Sequence, residues 1–397
     1  MAATQQMTIV VVGGGITGVA ALRSIRAVNP DATVVLVNGE TRLPYRRPQL
    51  SRNLHAGFTR DQFAIEPENW YRDHAIEILS GVQATALDPQ GRTLSLDNGR
   101  VLNWNRLILA TGALPVWPEI APRDLEGLFV LRDADSAEAL LAALENARSV
   151  IVLGMGVLGV EVAEQARLRG LPTALVHRAP SAMERDLTVR AAERLQKLME
   201  ANGVSMLFSK TVSAINRTAD GLQVCWSGGE RVADRVVACL GTEPNTALAM
   251  SAGLAVGRGI KVDGHLRTSC PEIFAAGDCA ELTGGALCHL WHCAEAMGRA
   301  AGLNAAGTPA PYHIKPFRLK CEVFGDYFFS MNRPEHDQLS ALHIDERSSG
   351  SIYQCFFFRV GRLDGVVMAG DKDRSRRYEE AVWSRWPREQ VLQTLSL

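Results

Sequence analysis

The chain has 397 residues, 47% of them hydrophobic and 21% charged, with a formal net charge of −1. That balance suits a globular protein of two or three domains with a sizeable core, and it excludes a polyelectrolyte that binds nucleic acid through charge alone. Its apolar runs are strand-length, short of the roughly 20 residues that span a bilayer. The opening MAATQQ has no basic stretch ahead of an apolar one, so a cytoplasmic protein is expected, with no membrane and no nucleic acid among its partners.

The first predicted element is a buried strand over Ile9 to Val12, broken by Gly13, Gly14, Gly15 and Gly18 and followed by a helix over Val19 to Ala27. The spacing is G-x-G-x-x-G between strand and helix, the context of a dinucleotide-binding turn. Gly13 permits the tight turn, Gly15 lets backbone approach a pyrophosphate, and Gly18 lets the helix pack closely. Ala32 to Val37 reads as the second parallel strand. An acidic residue is expected after it to hold ribose hydroxyls. Asn38 occupies that slot, and Glu40, two residues on, is the candidate.

Leu43 to Leu54, LPYRRPQLSRNL, reads as a loop with Ser51 as a helix N-cap. Arg46, Arg47 and Arg52 cluster there, either as a solvated basic loop or beside an anionic cofactor, with Arg47 the candidate contact. A helix and strand follow over Glu66 to Ile78, then a hairpin around Asp88–Gly91, then a buried strand over Leu107 to Gly112. Pro115 and Pro118 mark a domain crossing.

After a helix over Ser136 to Asn146, the strand–glycine–helix pattern returns in Val150 to Gly159, with Gly154, Gly156 and Gly159 in the same spacing. Two such units point to two dinucleotides, a flavin and a nicotinamide. The strand Thr173 to Val176 ends in His177 and Arg178 rather than in an acid. That pair leans toward the 2′-phosphate of NADPH, with a surface His–Arg pair as the alternative. A helix over Ala191 to Ala201 and strands near Ser205–Phe208, Leu222–Trp226 and Arg235–Leu240 lead to Gly241–Asn245, a second crossing. Gly277 and Asp278 end a further strand, where Asp278 can accept a hydrogen bond from a sugar-like hydroxyl. A helix over Cys288 to Ala306 and an aromatic-rich tail of strands, with a helix at Arg377 to Trp386, complete the chain.

The two fingerprints, Ala110-Thr111-Gly112, Gly241-x-x-Pro244-Asn245 and Ile273-Phe-Ala-Ala-Gly-Asp278, occur in the order of the FAD-dependent pyridine nucleotide-disulfide oxidoreductase superfamily, which the chain resembles over most of its length. LPYRRPQLS resembles the ferredoxin/rubredoxin reductase branch. Val176 to Leu187 and Leu319 to Ser330 are similar to the diaphorase part of NAD(P)H-nitrite reductases.

The resemblance implies an α/β, glutathione reductase-like fold with two Rossmann-like domains and a C-terminal α+β domain. It divides the chain into an FAD domain over residues 1–115 and 245–315, an NAD(P) domain over 116–244 and a C-terminal domain over 316–397. The last would serve dimerisation and docking, so a homodimer is expected.

It also implies hydride transfer from NAD(P)H to FAD, then electrons to a rubredoxin, ferredoxin or Rieske-type carrier, or to a nitrite-reductase-like partner. Cofactor contacts are implied at Ala110, Thr111, Gly112, Gly241 and Gly277, with Trp291 either beside the flavin or in the core. A Lys–Glu pair near the flavin in this branch corresponds to Arg52 and Glu161, a change that keeps the charge and alters the geometry.

None of the eight cysteines precedes Cys225, and reduced thiols are expected. The redox pair that disulfide reductases carry in the segment matching Leu43 to Leu54 is therefore missing. Cys288-His289-Leu290-Trp291-His292-Cys293 holds four metal-ligand types, but one helix does not converge them tetrahedrally. Packing beside FAD is expected there, with no metal. Two other readings stay open: a flavin oxidase or monooxygenase-like enzyme on a small metabolite, and an FAD-holding sensor of NAD(P)H.

Overall fold

A computed structural model describes residues 7–395 and 397, and they form two compact units. The first comprises the chain up to Leu50, Phe58–Pro115 and Thr242–Ile314. Its main sheet has five strands in the spatial order Ile273–Ala275, Arg106–Leu109, Thr8–Val12, Thr33–Asn38 and Ile76–Ser80. All pair in parallel. Ile9 to Val12 show no alternation of polar and apolar residues because all four are buried at the centre of this sheet, as parallel strands covered on both faces require. The first helix, Ile16–Val28, begins earlier than expected, straight after Gly15 as its N-cap.

Helix Trp291–Ala305 packs on that first helix through two glycines. A Cβ at Gly298 would lie 2.2 Å from the Thr17 carbonyl oxygen, and one at Gly302 would lie 2.4 Å from that of Ala21. The expected hairpin is present between Ala84–Asp88 and Thr93–Leu96, with Val101–Asn103 as a third strand. Asp88 fixes its turn by accepting the N–H groups of Gln90 and Gly91 at 2.9 and 3.0 Å.

The second unit comprises Ser51–Gly57, Val116–Gly241 and the chain from Lys315. It repeats the first plan. Its parallel sheet runs Val204–Leu207, Thr173–Val176, Val150–Leu153, Arg235–Ala238 and Leu128–Val130, so the fingerprint strand is again central. An antiparallel sheet of Val212–Thr218, Gly221–Trp226 and Gly229–Ala233 joins it. Its two outer strands carry too many exposed polar residues to read as strands from sequence.

The tail forms a five-stranded antiparallel sheet ordered Arg318–Val323, Asp326–Met331, Arg362–Ala369, Ile352–Arg359 and His343–Ser349. Phe329, Phe356, Phe358 and Tyr378 are buried in one cluster against it. The single tail helix expected over Arg377 to Trp386 is instead two, Ser375–Trp383 and Arg388–Thr394. Pro387 is the cause: it has no N–H for a continuing helix and caps the second one. Phe324 and Gly325 both take positive φ, 45° and 76°, the two-residue turn that matches the twist of a hairpin. That turn is held at both sides. Glu164 accepts the Phe324 N–H at 2.5 Å, and Arg194 donates twice to the Asp326 carboxylate at 2.7 and 2.8 Å. No described helix is long and apolar enough to cross a membrane.

Candidate functional site

The two glycine turns are built alike. Gly13 has φ +119° and Gly154 φ +97°; a Cβ would lie 2.1 Å from the Ala110 oxygen in the first and 2.3 Å from the Cys239 oxygen in the second. At the third glycine the obstruction is the first one's carbonyl: 2.1 Å from Gly18 to Gly13, 2.0 Å from Gly159 to Gly154. The second glycine differs in kind. Nothing lies within 4 Å of a Cβ built at Gly15 or at Gly156. Each of these two residues is a helix N-cap without a side-chain cap bond. A side chain is thus absent beside both helix starts, whose first N–H groups have no capping side chain at the positive end of the helix dipole, a setting that suits phosphate oxygens. Both cradles fit a pyrophosphate.

In the first unit, Asn38 is buried beside the turn and donates to the Arg42 carbonyl at 2.7 Å. It shapes the loop that carries Glu40. Glu40 accepts the Tyr45 hydroxyl at 2.7 Å and is paired with the Arg47 guanidinium, so the fold brings together two residues that sequence singled out separately. Thr111 donates to the Asn245 carbonyl at 2.7 Å, and Gly112 accepts the Asn245 N–H at 2.9 Å. Gly277, at φ +77°, leaves room for the Thr17 hydroxyl, and Asp278 follows in a short 3-10 turn. Gly13–Gly15, Ala110–Gly112 and Gly277–Asp278 thus gather at the carboxyl ends of three neighbouring parallel strands, where open α/β sheets bind ligands. Trp291 is half-buried against Ile16, Val19, Ile65 and Ala294.

In the second unit, Glu161 lies in the first turns of helix Val157–Leu168 and is buried. Its carboxylate accepts the Arg52 Nε–H at 2.8 Å and the Ser51 hydroxyl. Ser51 is not the expected N-cap: the short helix is Pro48–Arg52, and Ser51 sits inside it with its hydroxyl turned to Glu161. Burial works to lower the Arg52 pKa, but the adjacent Glu161 outweighs it and holds the guanidinium above its ordinary value. Gln165, one turn on, binds the His55 N–H and ring. Sequence reasoning does not reach these roles of Ser51 and Gln165, because their partners lie 110 residues away.

Burial pushes Glu164 up, although the Phe324 N–H opposes it. His177 donates its N–H to the Leu207 carbonyl at 2.9 Å and is held below its usual pKa by burial; Arg178 is exposed. Gly241 has φ +102° and accepts the Val116 N–H at 3.0 Å.

The helix expected from Cys288 starts only at Trp291, with Leu290 as N-cap. Cys288 and His289 precede it, so the four ligand types do not share one helix. His289 Nδ1 meets the Thr242 hydroxyl at 2.9 Å. Among the described residues, no three His, Cys, Asp or Glu side chains gather as a metal site.

Residues 7–298 match the family model described as "Pyridine nucleotide-disulphide oxidoreductase". The chain is 29% identical over 401 residues to a nitrite reductase [NAD(P)H] of Bacillus subtilis, covering 98% of this chain and 49% of that protein, so it spans about half the length of that relative. It is 34% identical over 277 residues to a rubredoxin-NAD(+) reductase of Pseudomonas putida, covering 69% of this chain and 72% of that one. Among solved structures, a ferredoxin reductase from Rhodopseudomonas palustris superposes with a TM-score of 0.84 at 28% identity, covering 91% of each chain.

Proposed function

This chain belongs to the pyridine nucleotide-disulphide oxidoreductase family, and we propose that it is an FAD-dependent reductase that takes hydride from NAD(P)H and hands electrons to a carrier protein of the rubredoxin, ferredoxin or Rieske kind, or to a nitrite-reductase-like partner. The names of its relatives support this direction of flow. The observation that carries the reading is the pair of like glycine turns, each with an open second glycine at an uncapped helix start. The segment from Leu43 to Leu54 holds no cysteine, so electrons leave without a disulfide in that position.

When bound, the two nucleotides supply the hydride and electron chemistry; the chain supplies position and charge. Gly13, Gly15 and Gly18 hold the FAD pyrophosphate, and Glu40 takes a ribose hydroxyl while Arg47 balances its charge. Ala110, Thr111, Gly112, Gly241 and Gly277 let backbone approach the cofactors, Asp278 accepts a sugar-chain hydroxyl, and Trp291 offers an aromatic face beside the flavin. Gly154, Gly156 and Gly159 hold the nicotinamide nucleotide. Arg52 and Glu161 form a fixed ion pair that orients the reacting region. His177 and Arg178 favour NADPH, because no acid follows Val176 to repel its phosphate.

In this reading residues 1–115 and 245–315 carry FAD, 116–244 carry NAD(P), and 316–397 serve docking and a homodimer contact. Anaerobic titration tests it: NADPH or NADH should bleach the flavin absorption, and electrons should then pass to an added carrier in stopped flow. If neither nucleotide bleaches the flavin, the reading fails. Arg178→Ala should weaken NADPH on the order of tenfold, as expected for one lost charge-assisted phosphate contact, while NADH stays nearly unchanged.

A further inference from the structure

Helix Val157–Leu168 does more than carry Glu161. Glu161, Gln165 and the C-cap Arg169 are spaced four residues apart along it, which stacks their side chains on one face. All three bind one short stretch of chain. Glu161 accepts the Ser51 hydroxyl, and the Arg52 Nε–H at 2.8 Å. Gln165 Oε1 accepts the His55 N–H at 3.1 Å and meets His55 Nδ1 at 2.7 Å. Arg169 Nε donates to the Leu54 carbonyl at 2.8 Å. Residues Ser51–Gly57 accordingly group with the second unit, although the chain on either side of them groups with the first. On the reductase reading, we propose that Gln165 is a positioning residue for hydride transfer: it fixes the segment Ser51–His55 on this helix and so sets where Arg52 lies on Glu161.

The segment has little structure of its own to fix it. Its helix, Pro48–Arg52, is five residues long and ends at Arg52, and helices this short are not stable by themselves. His55 lies beyond it in a turn. The Arg52 side chain is long and 42% exposed, with many rotamers open to it. Its place depends on the backbone that carries it as much as on Glu161.

The chemistry of residue 165 fits the task. A backbone N–H can only donate, so the atom facing His55 is the amide oxygen, and the ring Nδ1 carries a hydrogen toward it. The amide nitrogen is left facing Glu164 Oε2 at 3.5 Å. Gln165 is 3% exposed, a buried polar side chain with both ends used. A carboxylate at 165 would accept the same two bonds but would set a further negative charge within a turn of Glu161 and Glu164. A methionine would fill the space without a strong acceptor.

The test takes two measurements on the FAD-bound full chain. In the unsubstituted chain, residue-resolved hydrogen exchange should show the His55 amide protected, about tenfold or more slower than an open turn amide. Gln165→Met should remove that protection. Stopped-flow reduction by saturating NADH or NADPH should slow about tenfold in Gln165→Met, the scale of a small misplacement beside reacting atoms, while nucleotide affinity and FAD content stay within about twofold. Arg169→Ala releases the Leu54 carbonyl at the far end of the helix and should slow reduction in the same direction; it serves if Gln165→Met fails to fold. A lower melting temperature with an unchanged reduction rate would make Gln165 merely structural and overturn the proposal. A His55 amide that exchanges freely in the unsubstituted chain would overturn it too. If the unsubstituted chain is bleached and Gln165→Met is reduced as fast, the positioning role fails and the reductase reading stands. If neither nucleotide bleaches the unsubstituted chain, both fall.

Discussion

A buried carboxylate is costly unless its partners stay in place. Glu161 has its side chain 5% exposed, and Arg52 and Ser51 are what hold it. Arg52→Ala should destabilise the protein by roughly 1–3 kcal/mol in urea unfolding, the cost of a stranded buried acceptor. Adding Glu161→Gln should recover most of that loss, because the charge needing a partner is gone; simple additivity of the two changes would contradict the pairing. Asp186 offers a cleaner case. Burial pushes its carboxyl from 3.8 up to about 6, despite Arg333 and Arg185 nearby. The folded chain therefore binds the proton more tightly than the unfolded one, and stability falls as pH rises from about 4 to 6. Asp186→Asn should raise the melting temperature at pH 8 and leave it nearly unchanged at pH 4. A constant difference across that range would refute the assignment.

At the scale of elements, the glycines of one turn have separable duties. Gly15→Ala meets open space, so the chain should fold with a near-normal melting curve and bind FAD much more weakly. Gly18→Ala drives a methyl group into the Gly13 carbonyl at 2.1 Å, and overpacking of this kind costs roughly 1–3 kcal/mol. It should lower the melting temperature of the apoprotein itself. Equal effects of both variants on apoprotein melting would sink the distinction. These duties are legible in the sequence because each depends on neighbours within a few residues. The partners of Ser51 and Glu40 are not. Ser51 reaches Glu161 across 110 residues, and Glu40 reads as a lone acid until the loop closes Arg47 onto it. Helix starts slip for a related reason. Periodicity finds the buried face, whereas the start depends on the cap, so Cys288 reads as helical although the helix begins at Trp291.

At the scale of the whole molecule, the two central fingerprint strands, their parallel neighbours Thr33–Asn38 and Thr173–Val176, and the glycine turns can be read from the chain, since buried parallel strands announce themselves as unbroken apolar runs; the three-residue edge strand Leu128–Val130 is too short to read this way. The outer strands Val212–Thr218 and Gly229–Ala233 cannot, because their exposed faces carry the polarity of loops. The order of the first sheet also bears on how the chain comes to fold. Strand Ile273–Ala275 pairs with Arg106–Leu109, and the residues between them include the core strands of the other unit. During synthesis the Arg106–Leu109 edge must wait for more than one hundred and fifty residues to be made. At about 5–20 residues per second that is roughly ten seconds or more of bare strand edge. The helix that covers Thr17 and Ala21 arrives later still. The nascent protein thus carries an unpaired edge and an uncovered helix face together, the kind of intermediate that chaperones shield from aggregation.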